Sequence, residues 1–116
     1  MEKFKRTAQA LSDETRLRIL NVLMVQECCV CEVMQALEIS QTRASRNLKI
    51  LSDAGFLDLH TEGLYSLYSL RRASSDGFYI ELLAAVKKIM QANEIAKKDI
   101  MRLRQSKRLG PGCVSR

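Results

Sequence analysis

The chain is poor in the residues that make loops and rigid aromatic cores. Its 116 residues include one proline, five glycines, no tryptophan and only 5% aromatic side chains. So few backbone breakers favour helices, with a core built from Leu, Ile, Val, Met and Ala. No apolar run approaches the ~18–20 residues that a membrane span needs. The start, Met1-Glu2-Lys3-Phe4-Lys5, has no apolar segment followed by a small-residue cleavage site. These absences predict a cytoplasmic protein without a membrane partner. Histidine is nearly absent too, with His60 alone. No Ser/His/Asp set, Gly-rich phosphate loop or pocket-forming carboxylate pair can be assembled, which argues against an enzyme and against any required cofactor. With 47% hydrophobic and 28% charged residues, what remains is one ordinary globular domain.

Charge is present in excess of one sign. The formal net charge is +6, which suits a polyanionic partner. Residues 1–58 hold eight cationic and eight anionic side chains, whereas residues 59–116 hold eleven and five. The surplus therefore sits on a late helix and tail, where a solvated basic face is an equally good reading.

Periodicity divides the chain. A short helix over about 3–10 precedes one over about 13–25, which Ser12 or Asp13 can cap. A third covers Val30 to Leu37, with Val30, Val33, Met34 and Leu37 on one stripe. After the tight connection Glu38-Ile39-Ser40, a fourth runs from Gln41 to about Ala54, burying Ala44, Leu48 and Leu51 and ending at Gly55. Alternation then takes over, predicting a hairpin that turns near Gly63. From about Asp76 a helical stripe through Tyr79, Leu82, Leu83, Val86, Ile89, Met90, Asn93, Ile100 and Leu103 predicts one long helix. Such a helix overshoots a small domain, so its stripe needs a twin in a homodimer. The expected fold is mainly α with a small β-hairpin, in the order α-α-α-α-β-β-α. Residues 1–105 are expected to form one folded and dimerising domain, and residues 106–116, with Gly110-Pro111-Gly112, a flexible tail.

Two short helices, a tight turn and then a hairpin is the order of a winged helix-turn-helix, whose second short helix lies in the DNA major groove. Here that helix would present Ser40, Gln41, Thr42, Arg43, Ser45, Arg46 and Lys49. Gln can pair with adenine edges, Arg with guanine, and Ser or Thr with bases or phosphates. Arg43 and Lys49 are the better placed for phosphate.

Three blocks of sequence match a known pattern. Leu11-Ser12-Asp13-Glu14-Thr15-Arg16-Leu17-Arg18-Ile19-Leu20 resembles the opening helix signature of the ArsR/SmtB family of metal-responsive repressors. Ser40-Gln41-Thr42-Arg43-Ala44-Ser45-Arg46-Asn47-Leu48-Lys49-Ile50-Leu51 resembles its recognition helix. Ala54-Gly55-Phe56-Leu57 with Glu62-Gly63 resembles its wing. The resemblance spans about residues 3–105 and implies a homodimer, joined through first and last helices, on palindromic operator DNA. The wing departs from the pattern. It offers Asp58, His60, Thr61 and Glu62 where the family carries basic residues, so Arg71 and Arg72 are the expected substitutes.

Four cysteines remain, Cys28, Cys29, Cys31 and Cys113. Three within four positions cannot form a disulfide framework, but suit a soft-metal site, a redox site or buried filler. Glu27-Cys28-Cys29-Val30-Cys31-Glu32-Val33-Met34 resembles the arsenite-binding signature of the family's arsenic sensors, with Met34 in place of a third Cys. The resemblance implies arsenic(III) or antimony(III) as inducer. Because the extra Cys28 restores the count, the expected ligands are Cys28, Cys29 and Cys31, with Cys113 as a fourth candidate. A regular helix turns ~100° per residue and would point Cys29 and Cys31 ~200° apart. Either the segment is already a loop or frayed turn, or the ligand distorts it. The expected function is an arsenic(III)-responsive repressor released from operator DNA by its cysteine cluster. A thiol-redox or persulfide switch, and a constitutive DNA binder with idle cysteines, stay open.

Overall fold

A computed structural model describes residues 1–71 and 77–109. The elements are α1 (Glu2–Ala10), α2 (Glu14–Val25), α3 (Val30–Leu37), α4 (Gln41–Asp53), β1 (Leu57–Glu62), β2 (Tyr65–Leu70), α5 (Gly77–Gln91) and α6 (Glu94–Gln105). Local chemistry sets most boundaries. The Asp13 carboxylate accepts the Arg16 backbone N–H at 3.1 Å and opens α2. The Ser40 hydroxyl accepts that of Arg43 at 3.1 Å and opens α4. Such caps satisfy amides that the first helical turn leaves orphaned. Between α3 and α4 the chain reverses through Glu38, which takes a left-handed φ of 57°.

The expected long final helix is two helices. Asn93 leaves the helical conformation, and its side-chain oxygen accepts the Ala96 N–H at 2.9 Å, so α6 starts afresh with its own cap. The apolar stripe runs on across the break because both pieces bury a face. α5 buries Tyr79, Val86 and Met90, while α6 buries Ala96, Asp99 and Leu103. α6 packs on α2 and α3 of the same chain, so its inner stripe is covered without a twin.

The core lies between α2, α4 and the base of the hairpin, with Ile19, Leu20, Leu48, Leu51 and Phe56 wholly buried. β1 and β2 pair antiparallel from Leu57 opposite Leu70 to Glu62 opposite Tyr65, turning at Gly63. One connection joins this wing to the helices. Cys28, in the extended stretch before α3, exchanges both backbone hydrogen bonds with Tyr68 of β2, at 3.0 and 2.8 Å.

Gly55 ends the recognition helix at a φ of 93°, and a Cβ there would collide with the Tyr79 hydroxyl and ring. That hydroxyl donates to the Ala54 carbonyl at 2.7 Å, tying α5 to the helix end. Gly55→Ala should therefore cost about 2 kcal/mol from backbone strain and displacement of Tyr79. In a domain of this size that lowers the thermal midpoint by roughly 8–16 °C. A midpoint within 2 °C of the parent, read by circular dichroism, would refute the steric account.

Candidate nucleic-acid interface and cysteine site

α4 turns Ala44, Leu48 and Leu51 inward, together with Asn47. Ser40, Thr42, Arg43, Ser45, Arg46 and Lys49 are exposed, and Gln41 is half-buried. Their immediate partners differ. Ser40 is engaged as the cap. Arg43 donates to the Thr15 hydroxyl at 2.9 Å and straps α4 to the start of α2. Lys49 reaches Asp53 at 3.3 Å across exposed surface, a pairing that DNA phosphate can replace at little cost. Arg46 stands out from the helix and pairs with no carboxylate among the described residues.

Sequence reasoning missed the lock behind this helix. Arg16 donates to the carbonyls of Ala10 at 2.7 Å and Gln9 at 3.1 Å, and to the Asn47 side-chain oxygen at 2.9 Å. Asn47 in turn donates to the Arg43 carbonyl at 2.9 Å. One guanidinium thus fixes α1, α2 and α4 together. The available signal was a polar Asn47 three residues after the inward Ala44, since a buried amide needs partners.

The cysteine segment is a loop running into a helix start. Cys29 is the residue before α3, with extended φ −85° and ψ 170°, and Cys31 is the second residue inside it. Because Cys29 has left the helical path, the two sulfurs converge to 3.1 Å, both buried. Two atoms each ~2.3 Å from one soft ion, at a bond angle near 90°, would lie ~3.3 Å apart. The pair thus has the spacing of two ligands of one ion without unwinding the helix.

Cys28 does not join them. Successive side chains of an extended chain point to opposite faces. Cys28 accordingly enters the main core, while Cys29 and Cys31 form a separate small cluster with Leu67 and Tyr65. Its thiol donates to the Gln26 carbonyl at 3.5 Å. Burial, aided by the Glu32 charge, pushes it up to about 12, so it is a neutral thiol at ordinary pH. Met34 also packs against the main core. Cys113 and Arg72 lie outside the described residues.

Glu32 and the end of α6 complete the surroundings. The nearly buried Glu32 carboxylate accepts the Cys29 N–H at 2.9 Å and pairs with Arg108 at 3.1 Å. Residues 106–109, read from sequence as the start of a loose tail, lie against this site. The Lys107 carbonyl is 3.7 Å from the Cys31 sulfur and accepts from the Gln35 amide at 2.7 Å, while its N–H donates back to Gln35 at 3.1 Å. On the outer edge the exposed His60 meets Glu27 at 3.3 Å, and Asp58, Thr61 and Glu62 are exposed along the wing. Arg71 is exposed at the end of β2 and lines a cleft with Lys3 and Arg6.

A braced helix offering a polar face beside a two-stranded wing defines a winged helix-turn-helix DNA-binding protein. The family model described as "Bacterial regulatory protein, arsR family" matches residues 13–58. Over 87 residues, 74% of this chain and 83% of the relative, the sequence is 32% identical to the arsenical resistance operon repressor of Bacillus subtilis. It is 41% identical over 63 residues to a cadmium resistance transcriptional regulatory protein CadC homolog of Staphylococcus aureus, and 41% identical over 61 residues to the arsenical resistance operon repressor of Escherichia coli. The chain spans about half the length of these two. The solution structure of a homodimeric winged helix-turn-helix DNA-binding domain from Mycobacterium bovis, a possible ArsR-family transcriptional regulator, superposes with a TM-score of 0.65 at 26% identity. That match covers 80% of this chain and 82% of the other.

The chain belongs to the ArsR family. It is a DNA-binding transcriptional repressor and not an enzyme. The homodimeric neighbour, together with the repressors, supports DNA binding as a dimer.

Proposed function

We propose that this repressor is released from its operator by arsenic(III) or antimony(III) bound to Cys29 and Cys31. The observation that carries this reading is the pair of buried sulfurs 3.1 Å apart at the first turn of α3. Thiolates select soft species over magnesium, calcium or manganese. The chain's one histidine is on the wing, so α6 lacks the imidazole that a zinc site favours. The repressors of arsenical resistance operons among the relatives agree with this choice.

Release follows from the connections of the cysteine segment. α3 braces α4, and Cys28 ties the same segment to the wing through Tyr68. An ion seated between the buried sulfurs of Cys29 and Cys31 needs room at the start of α3, and making that room displaces this turn and with it the two elements that face DNA. A coupling of about 1–3 kcal/mol changes operator affinity ~5–150-fold. The dimer forms through α1, α5 and α6, whose outer faces expose Phe4, Ile80, Ile89, Ile95 and Met101.

A thiol-redox switch is the second reading, favoured by the same sulfur proximity. Both are tested by fluorescence anisotropy on an operator selected from random DNA by the protein itself, titrated with arsenite, antimonite, zinc and peroxide. Arsenite-driven release at concentrations where peroxide is silent supports the first reading, and the reverse supports the second. Release by neither leaves a repressor without a thiol effector. In the same assay Arg46→Ala should weaken operator binding by about 1–3 kcal/mol, roughly 5–150-fold, and relax base preference at one position. A uniform loss over all sequences would reassign Arg46 to phosphate.

A further inference from the structure

We infer that Glu27, His60 and Glu62 form a second ion site, separate from the sulfur pair, that takes a divalent cation of the zinc class. His60 and Glu62 are two positions apart on β1, so their side chains leave the same face of the wing. Glu27 reaches the site from outside the hairpin. It precedes Cys28, whose pairing with Tyr68 of β2 holds residue 27 against the wing. One ligand atom from each of the three side chains lies within 4.8 Å of the other two. The pair His60 Nε2 and Glu27 Oε1 is 3.3 Å apart. Two donors each ~2.0–2.1 Å from a tetrahedral ion would stand ~3.4 Å apart, so this pair already has ligand spacing. Glu62 is exposed and closes on the pair by side-chain rotation. It gives up a contact of 4.0 Å to Arg108, which keeps Glu32 at 3.1 Å.

The donor set decides the ion. Imidazole suits zinc, nickel or copper, carboxylates suit hard cations, and without a thiolate the site offers little to a soft trivalent ion. Two carboxylates gathered this closely repel each other, and a divalent charge between them reverses that repulsion. Three protein donors leave a fourth tetrahedral position to water. An ion here joins β1 to residue 27, two positions ahead of Cys29, and so clamps the wing to the segment that carries the sulfurs.

The single imidazole provides the test. His60 is the chain's one histidine, so an untagged protein gives one set of imidazole signals in a 1H–15N NMR spectrum. The full chain carrying Cys29→Ser, which breaks the competing sulfur pair, is titrated with zinc and, separately, with magnesium. Zinc should move the imidazole signals, saturating at one ion per chain, and magnesium should leave them in place. Glu27→Gln on the segment and Glu62→Gln on the wing should each weaken zinc binding at least ~10-fold, the lower end of what removing even an outer partner of a bound metal costs. All three side chains reach solvent, so both variants should keep the parent circular dichroism spectrum. Imidazole signals unmoved by excess zinc overturn the inference. So does zinc affinity that both Gln variants retain, which is an ion on His60 alone. Magnesium competing equally with zinc overturns it too, since that is an unselective cluster of charge.

Discussion

Cys29→Ser should hold its operator as tightly as the parent chain and keep holding it at arsenite concentrations that strip the parent from DNA. The first half follows from the helix. Cys29 occupies the capping position of α3, where Ser is among the preferred residues, and the substituted side chain is nearly the same size. Its backbone N–H still reaches Glu32, so the brace for α4 stays in place. The second half follows from the ligand. A hydroxyl oxygen is a hard donor that does not replace thiolate on a soft ion, and one remaining sulfur, Cys31, is no chelate. The whole coupling of ~1–3 kcal/mol should vanish, moving the release midpoint by at least the ~5–150-fold it represents. Cys28→Ala serves as the internal control. Its side chain lies in the core on the opposite face, so it should cost about 1 kcal/mol of stability and leave the release midpoint where it was. Anisotropy titrations on the three proteins decide the matter. Release of Cys29→Ser at the parent midpoint would show that arsenite acts elsewhere.

Local sequence carried much of this molecule, because its determinants are local. Asp13 and Ser40 mark helix starts by capping their own next turn, and Gly55 marks an end by its backbone freedom. The recognition face was legible because Ala44, Leu48 and Leu51 repeat at helical spacing. The failures share one cause, partners distant in sequence. The Cys28 side chain was assigned by counting donors, yet its direction is set by backbone pairing with Tyr68, forty residues on. Asn93 fitted the helical stripe, and only its hydrogen bond to the Ala96 N–H reveals a cap. The docking of residues 106–109 depends on Gln35 and Glu32, some seventy positions earlier. Of the candidate site, the crowding of cysteines was readable, but neither the turning away of Cys28 nor the convergence of Cys29 with Cys31 was. Two sulfurs two positions apart meet only because one of them has stepped off the helix.

The same long-range logic makes Asp99 the position with the largest expected effect on stability. Its side chain is wholly buried. Arg18 of α2 donates to both its oxygens at 2.8 Å, and Arg102 donates at 2.9 Å. The two arginines also reach the carbonyls of Leu37 at 3.2 Å and Ala36 at 2.8 Å, so one carboxylate gathers α2, α6 and the end of α3. Its hydrogen bond to Asp99 raises the Arg18 guanidinium above its ordinary value, so Arg18 carries its charge wherever the protein is folded. Asp99→Ala leaves Arg18, mostly buried, without its counter-charge. Breaking a buried pair from one side costs about 3–5 kcal/mol, equivalent to a fall in thermal midpoint of roughly 12–40 °C. Removing both partners isolates the cause. Asp99→Leu with Arg18→Met should lose less than Asp99→Ala alone, because no charge is then stranded. A double variant less stable than the single one would mean that α6 is held chiefly by packing. Since α6 delivers Lys107 and Arg108 to the cysteine site, Asp99→Ala should also weaken arsenite binding at temperatures where the rest of the domain is still folded. Calorimetry at 10 °C would detect that loss, and unchanged affinity there would show that the contacts of Lys107 and Arg108 do not support ion binding.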